Sequence, residues 1–287
     1  MKTFKVNSPR ILDHTADLRS LLWSLGLFPL PALVAFFAPQ FWVGLLMPTF
    51  YLSFCAGVLA HYHNHRPVFR RPGLNRLYAC WLSIFYGFPL LGWIPTHNQN
   101  HHKYVNGEGD ATRTERAGQD GLLTALLYPL RSSAWQAPAL HRYLGKQRKR
   151  GGYAALEVWL QTLSILSFHV LVGALCIGRH GLVLGGGAYL VLVFVPALLS
   201  TWAMMFTNYL QHVGCDPTSI DNHSRNFVGA WENWFVFDAG LHTVHHEHPG
   251  THWSQYRSLH AARVSKIDPA LCERNMFSFL WRRYVSG

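Results

Sequence analysis

Apolar and polar positions in this chain segregate into long blocks. Residues 21–38 and 41–60 are two apolar runs without a charge, separated only by Pro39 and Gln40. A second pair, 154–177 and 182–206, is joined by Gly178-Arg179-His180-Gly181, with Glu157 and His169 as its polar exceptions. At about 1.5 Å per helical residue, each run is long enough to cross about 30 Å of hydrocarbon. The pattern therefore predicts four membrane helices arranged as two tight hairpins.

Between the hairpins, residues 61–153 are polar except for 77–94. That stretch carries Trp81, Tyr86 and Trp93 and is broken by Gly87, Pro89 and Gly92, with Pro95 just beyond it. Such a sequence predicts a helix lying in the membrane interface or capping a site, the alternative being a further, broken span. Residues 121–130 read as another short interfacial segment, and the basic run 142–150 closes the excursion. The fold class that follows is all-α, one domain over 1–287, with a four-helix membrane unit and a helical cap formed by 61–153 and 207–287.

Composition sharpens this picture. Of 287 residues 49% are apolar and only 14% are charged, well below the roughly one quarter usual in soluble proteins. Residues 1–20 carry Lys2, Lys5, Arg10 and Arg19 and lead straight into the first apolar run, with another close behind, so they read as the start of an uncleaved membrane helix. The five cysteines show no CxxC spacing, which excludes a disulfide framework and a zinc ribbon.

The formal net charge of +11 fits either nucleic acid or an anionic membrane surface, and the placement of the charges decides. Of 25 lysines and arginines, 4 precede the first run, 13 lie in 61–153 and 7 follow residue 206, leaving Arg179 alone on the other side. The positive-inside rule then puts both termini and both polar segments in the cytoplasm. No nucleic-acid-binding motif accompanies the charge, so nucleic acid is excluded as a partner.

The candidate chemistry sits at the cytoplasmic ends of the runs. His61-Tyr62-His63-Asn64-His65 follows the second run directly, and His97-Asn98-Gln99-Asn100-His101-His102 follows the broken stretch. Asn208-Tyr209-Leu210-Gln211-His212 ends the fourth run, and His242-Thr243-Val244-His245-His246 lies beyond it. Spacings of three and four place side chains on one helical face, and neutral imidazole is a common metal ligand. His61, His65, His97, His101, His102, His212, His242, His245 and His246 are therefore candidate ligands, too many for one ion. His63 and His248 are out of register, and His169, lacking a partner one turn away, reads as a hydrogen-bonded core residue. Asp238, four residues before His242, is the first candidate to orient an imidazole by accepting its other N–H. Asp110, Glu108 and Asp216 follow, each otherwise a surface or capping acid.

These boxes, HxxxH, HxxxHH and HxxHH, resemble those of the membrane-bound fatty acid desaturase superfamily, over about residues 21–253. The resemblance implies a di-iron centre held by the nine histidines, with His212 on iron and Asn208 contacting it through water, and dioxygen as co-substrate. It implies desaturation of a fatty acyl chain drawn from the lipid bilayer. Electrons would come from a separate donor of ferredoxin, rubredoxin or cytochrome b5 type with its reductase. His248-Pro249-Gly250 is an incomplete HPGG haem motif, so no fused donor is expected. Hydroxylation, acetylenation and oxidative decarboxylation to a terminal alkene are alternatives within the superfamily. A histidine-rich metal transporter or sensor is the alternative outside it, but would need polar ligands near the bilayer midplane, where these runs are nearly bare.

The charge pattern generates a topology prediction. A cysteine placed at His180 should react with an impermeant reagent in sealed cells, whereas one placed in 142–150 should be protected; the reverse pattern inverts the orientation.

Overall fold

A computed structural model describes residues 11–286; Lys2, Lys5 and Arg10, which contribute to the charge reading, lie outside the described residues. The structure is predominantly helical. Among the described residues, three stretches are long and apolar enough to cross a membrane: Asp17–Phe37 (α1), Pro39–His65 (α2) and Gly152–His212. The last reverses at Gly181, where φ is 76° and ψ is 170°. Its two arms, Gly152–Gly181 (α6) and 182–212 (α7), run back along each other: His169 Nδ1 lies 3.2 Å from the Tyr189 hydroxyl, the pairing expected of a core histidine.

The helices overrun the apolar runs. In α2 every residue from Cys55 to His63 is buried, so helix continues through His61 and His65 well past the predicted boundary at residue 60. Likewise α7 continues past residue 206 to carry Asn208 and His212 on its last turn. The apolar run measures the lipid-facing length, while the helix continues wherever its next turn finds protein to pack against. On the outside, Met47 and Val183 are 72% and 90% exposed, an apolar surface suited to lipid.

The stretch expected at the interface is a bent pair, Pro72–Tyr86 (α3) and Leu90–Tyr104 (α4), meeting at 90°. It is embedded among the long helices: the Tyr78 hydroxyl donates to Ser24 Oγ (2.9 Å), Trp81 Nε1 donates to the Ser24 carbonyl (2.8 Å), and Leu91 N donates to Gln161 Oε1 (3.0 Å). Gly87 makes the corner. Its φ is 73°, and a Cβ there would lie 2.6 Å from the Ala197 carbonyl oxygen. The corner aims α4, with His97, His101 and His102, at the end of α2.

A second correction concerns 121–130 and 142–150, which belong to one helix, Leu122–Arg150 (α5). Its buried positions Ala125, Tyr128, Pro129, Ser132 and Gln136 keep a helical spacing, but the later ones are polar, so hydrophobicity alone lost the stripe. Hydroxyls of Ser132 (3.2 Å) and Ser133 (2.7 Å) both donate to the Pro129 carbonyl. The structure also departs from all-α at one parallel pair of two-residue strands, Asn226–Phe227 (β1) and Cys272–Glu273 (β2).

Gly87→Ala should destabilise the purified protein by about 1–3 kcal/mol, combining left-handed strain with the clash at Ala197. Gly44→Ala, in α2 with nothing within 4 Å of the added carbon, should be neutral or stabilising by up to about 1 kcal/mol. Thermal unfolding in detergent distinguishes the two.

Candidate metal centre

Nine imidazoles converge where the ends of α2, α4 and α7 meet the short helix His242–Glu247 (α8). They divide into two groups. His61, His65, His97, His102 and His245 form one and His101, His212, His242 and His246 the other, with the ligand atoms of each group within 4.8 Å of one another. All nine candidates are included; His63 is not, because its Nδ1 accepts from Val68 N (3.2 Å) and its Nε2 faces the Asn75 carbonyl (3.2 Å).

Helix geometry explains the division. In α8, His242 and His246 are four residues apart and share a group. His245 precedes His246 by one residue, a rotation of about 100°, and so faces the other group. The box in α4 behaves differently from an ordinary α-helix, since 94–101 is wound as a π-helix. With hydrogen bonds reaching i+5, His97 shares its face with His102, their Nε2 atoms 2.9 Å apart, and His101 turns to the second group. The sequence spacing had paired His97 with His101.

The facing atoms are all Nε2. His61 lies 2.8 Å from His97 and 3.1 Å from His65, and His102 lies 3.0 Å from His245. In the second group, His212, His242 and His246 make a triangle with sides of 3.0, 3.1 and 3.2 Å. Burial, reinforced by neighbouring imidazoles, pushes His242, His245 and His246 well below the ordinary histidine value. Neutral rings carry one N–H each, so three Nε2 atoms in a closed triangle cannot all be satisfied by one another. His101 Nε2 is buried with no hydrogen-bond partner. A cation relieves both defects: ligands at about 2.1 Å and right angles to each other stand about 3 Å apart. Each group thus has the donor set and spacing to hold a metal ion.

Outer contacts fix the rings. Asp110 Oδ2 accepts from His101 Nδ1 (2.7 Å), and the carboxylate also accepts from Asn106 N (2.7 Å) and from Thr112 N and Oγ1 (both 2.7 Å). Burial pushes Asp110 up, but His101 and these donors outweigh it and hold the acid below the usual carboxylate range. Val105 and Asn106, at φ 43° and 63°, make the reversal that returns Asp110 to His101. The Tyr256 hydroxyl accepts from His245 Nδ1 (3.0 Å) and the His223 carbonyl from His212 Nδ1 (3.0 Å).

Of the candidate acids, Asp110 alone meets a box histidine in these contacts. Asp238 is not a helical turn before His242: at φ 58° it sits in a left-handed turn and pairs with Arg257 Nε at 2.8 Å. Asp216 accepts from Thr218 N and Oγ1 in its own turn, and Glu108 is exposed. Asn208 Nδ2 donates to the Tyr128 hydroxyl (3.1 Å), which donates to the Thr112 carbonyl beside Asp110. Sequence reasoning missed Tyr128, Thr112 and Tyr256, whose spacing to the boxes carries no signal.

A cavity of about 170 Å³ adjoins the centre. Its lining includes the apolar Phe54, Val58, Tyr86, Met204 and Met205, the imidazoles of His61, His97, His101, His242 and His245, and Asn208. It touches both histidine groups.

Comparison with known proteins agrees with this geometry. A family model described as Fatty acid desaturase matches residues 21–275. A sphingolipid delta(4)-desaturase of Komagataella phaffii is 25% identical over 213 residues, covering 68% of this chain and 54% of the relative. The chain thus spans about half the length of the curated relative it matches. No solved structure matches.

His245→Ala and His246→Ala should each lose one of two bound metal ions, and Asp110→Asn should weaken retention about 10- to 100-fold. His63→Ala and His180→Ala should hold both. Metal-to-protein ratios after gel filtration measure this; comparable losses across the two sets would refute the grouping.

Proposed function

The chain belongs to the fatty acid desaturase family, and from that membership we propose that it is a dioxygen-dependent desaturase that introduces a carbon–carbon double bond into a fatty acyl chain. The observation that carries this reading is the apolar cavity leading to both histidine groups. His61, His65, His97, His102 and His245 would hold one iron ion, and His101, His212, His242 and His246 the other. Bound there, the pair supplies the oxidising power, drawn from dioxygen, that cleavage of an unactivated C–H bond requires.

The protein's own residues bind and orient. Phe54, Val58, Tyr86, Met204 and Met205 offer an alkyl chain an apolar wall and exclude water from its methylenes. Asp110 keeps the His101 proton on Nδ1 and Tyr256 does the same for His245, leaving each Nε2 lone pair facing inward. Asn208, held by Tyr128, stands beside the centre where its amide oxygen can orient a water molecule. α1, α2, α6 and α7 form the four membrane crossings, with both termini and the centre on the cytoplasmic side. The acyl chain enters from the bilayer, and electrons come from a separate ferredoxin, rubredoxin or cytochrome b5 type donor. The sphingolipid in the relative's name makes a sphingolipid one substrate to test.

Lipid and hydrocarbon profiles of cells expressing the wild type beside His245→Ala test the reading. New unsaturated acyl chains should appear with the wild type only. Hydroxylated or acetylenic chains, or terminal alkenes, would reassign the reaction within the same chemistry. Full activity of purified protein loaded with zinc alone would overturn the di-iron reading.

A further inference from the structure

His223 lies outside every box, and its surroundings give it one defined tautomer. Its Nδ1 donates to the carbonyls of Ile220 (2.9 Å) and Ser219 (3.2 Å), so Nε2 carries the lone pair. The residue is only 5% exposed, and Nε2 is buried without a hydrogen-bond partner. Beside it, His246 directs Nε2 toward His212 and His242, so its proton belongs on Nδ1, which is likewise buried and unpartnered. The two rings are 5.4 Å apart at 87°. Two adjoining rings thus carry a buried acceptor and a buried donor, each without a partner.

His223 does not sit as a ligand would. Among the described residues, His101, His212, His242 and His246 have every pair of ring centroids within 6.5 Å, whereas His223 makes an edge-on contact with His246 alone of the four. Yet it reaches two of them: its carbonyl already accepts from His212 Nδ1 at 3.0 Å. We propose that His223 is a second positioning residue of the four-histidine group beside Asp110, accepting the Nδ1–H of His246 directly or through one water molecule while its carbonyl orients His212. One residue then fixes the tautomer and rotation of half of that group's imidazoles, as Asp110 does for His101. Buried polar pairs of this kind are costly unless joined, and outer partners of metal-bound histidines commonly tune affinity by about 10- to 100-fold.

The proposal rests on the reading of these imidazoles as iron ligands, and the test separates the two. Full-length protein in detergent is loaded with iron, and release to a chelator is followed together with the Mössbauer spectrum. Wild type that holds fewer than two ions refutes the ligand reading itself. Given two ions in wild type, His223→Ala should release one of them about 10- to 100-fold faster, with only that ion's spectral component altered. His223→Gln, whose amide oxygen can accept at similar reach, should restore near-wild-type release. Unchanged release from His223→Ala, equal acceleration of both ions, or a glutamine variant as leaky as the alanine variant would each overturn the proposal. The glutamine variant keeps the test decisive if the alanine variant fails to fold.

Discussion

Nine imidazoles gathered in two clusters with their Nε2 atoms turned inward, most of them removed from water, are the constraint on which the rest of this structure depends. Such an arrangement is unfavourable by itself, because lone pairs meet at about 3 Å with too few protons between them. It becomes favourable around cations, whose binding energy then contributes to holding the ends of α2, α4, α7 and α8 together. The clusters are thus a chemical centre and a structural joint at once.

The helices around this joint serve two solvents. Their outer faces, with Met47 and Val183 among the most exposed apolar residues, suit hydrocarbon. The ends that carry the histidines pass into polar, hydrogen-bonded structure around α4, α5 and the segments after His212. Gly87 lies where these regimes meet: only a residue without a Cβ can turn α3 into α4 against the Ala197 carbonyl. The cavity shares this division, lined by apolar residues such as Met204 as well as by imidazoles such as His61.

Orientation of the rings comes from groups of different chemistry. A carboxylate holds His101, a phenol holds His245 and a backbone carbonyl holds His212. Only the carboxylate carries charge, and it belongs to the four-histidine group. That group therefore has fewer imidazoles and more anionic support than its neighbour, an asymmetry that would distinguish two ions bound there.

Much was legible in the sequence, for a physical reason. Helical periodicity is local, so the spacings of three and four within each box, and the apolar runs before them, sufficed to single out all nine clustered histidines and to set aside His63. The same locality limited the reading. Whether His97 sides with His101 or His102 depends on π-winding that propensity does not encode. Asp110 outranks Asp238 because a left-handed reversal at Val105 and Asn106 brings it back, while another at Asp238 breaks the assumed helix. The five-to-four division, the single helix across 122–150 and the approach of Tyr256 and His223 were decided only in three dimensions. Each requires segments distant in the chain to meet at a particular rotation, and packing fixes that rotation where sequence spacing cannot.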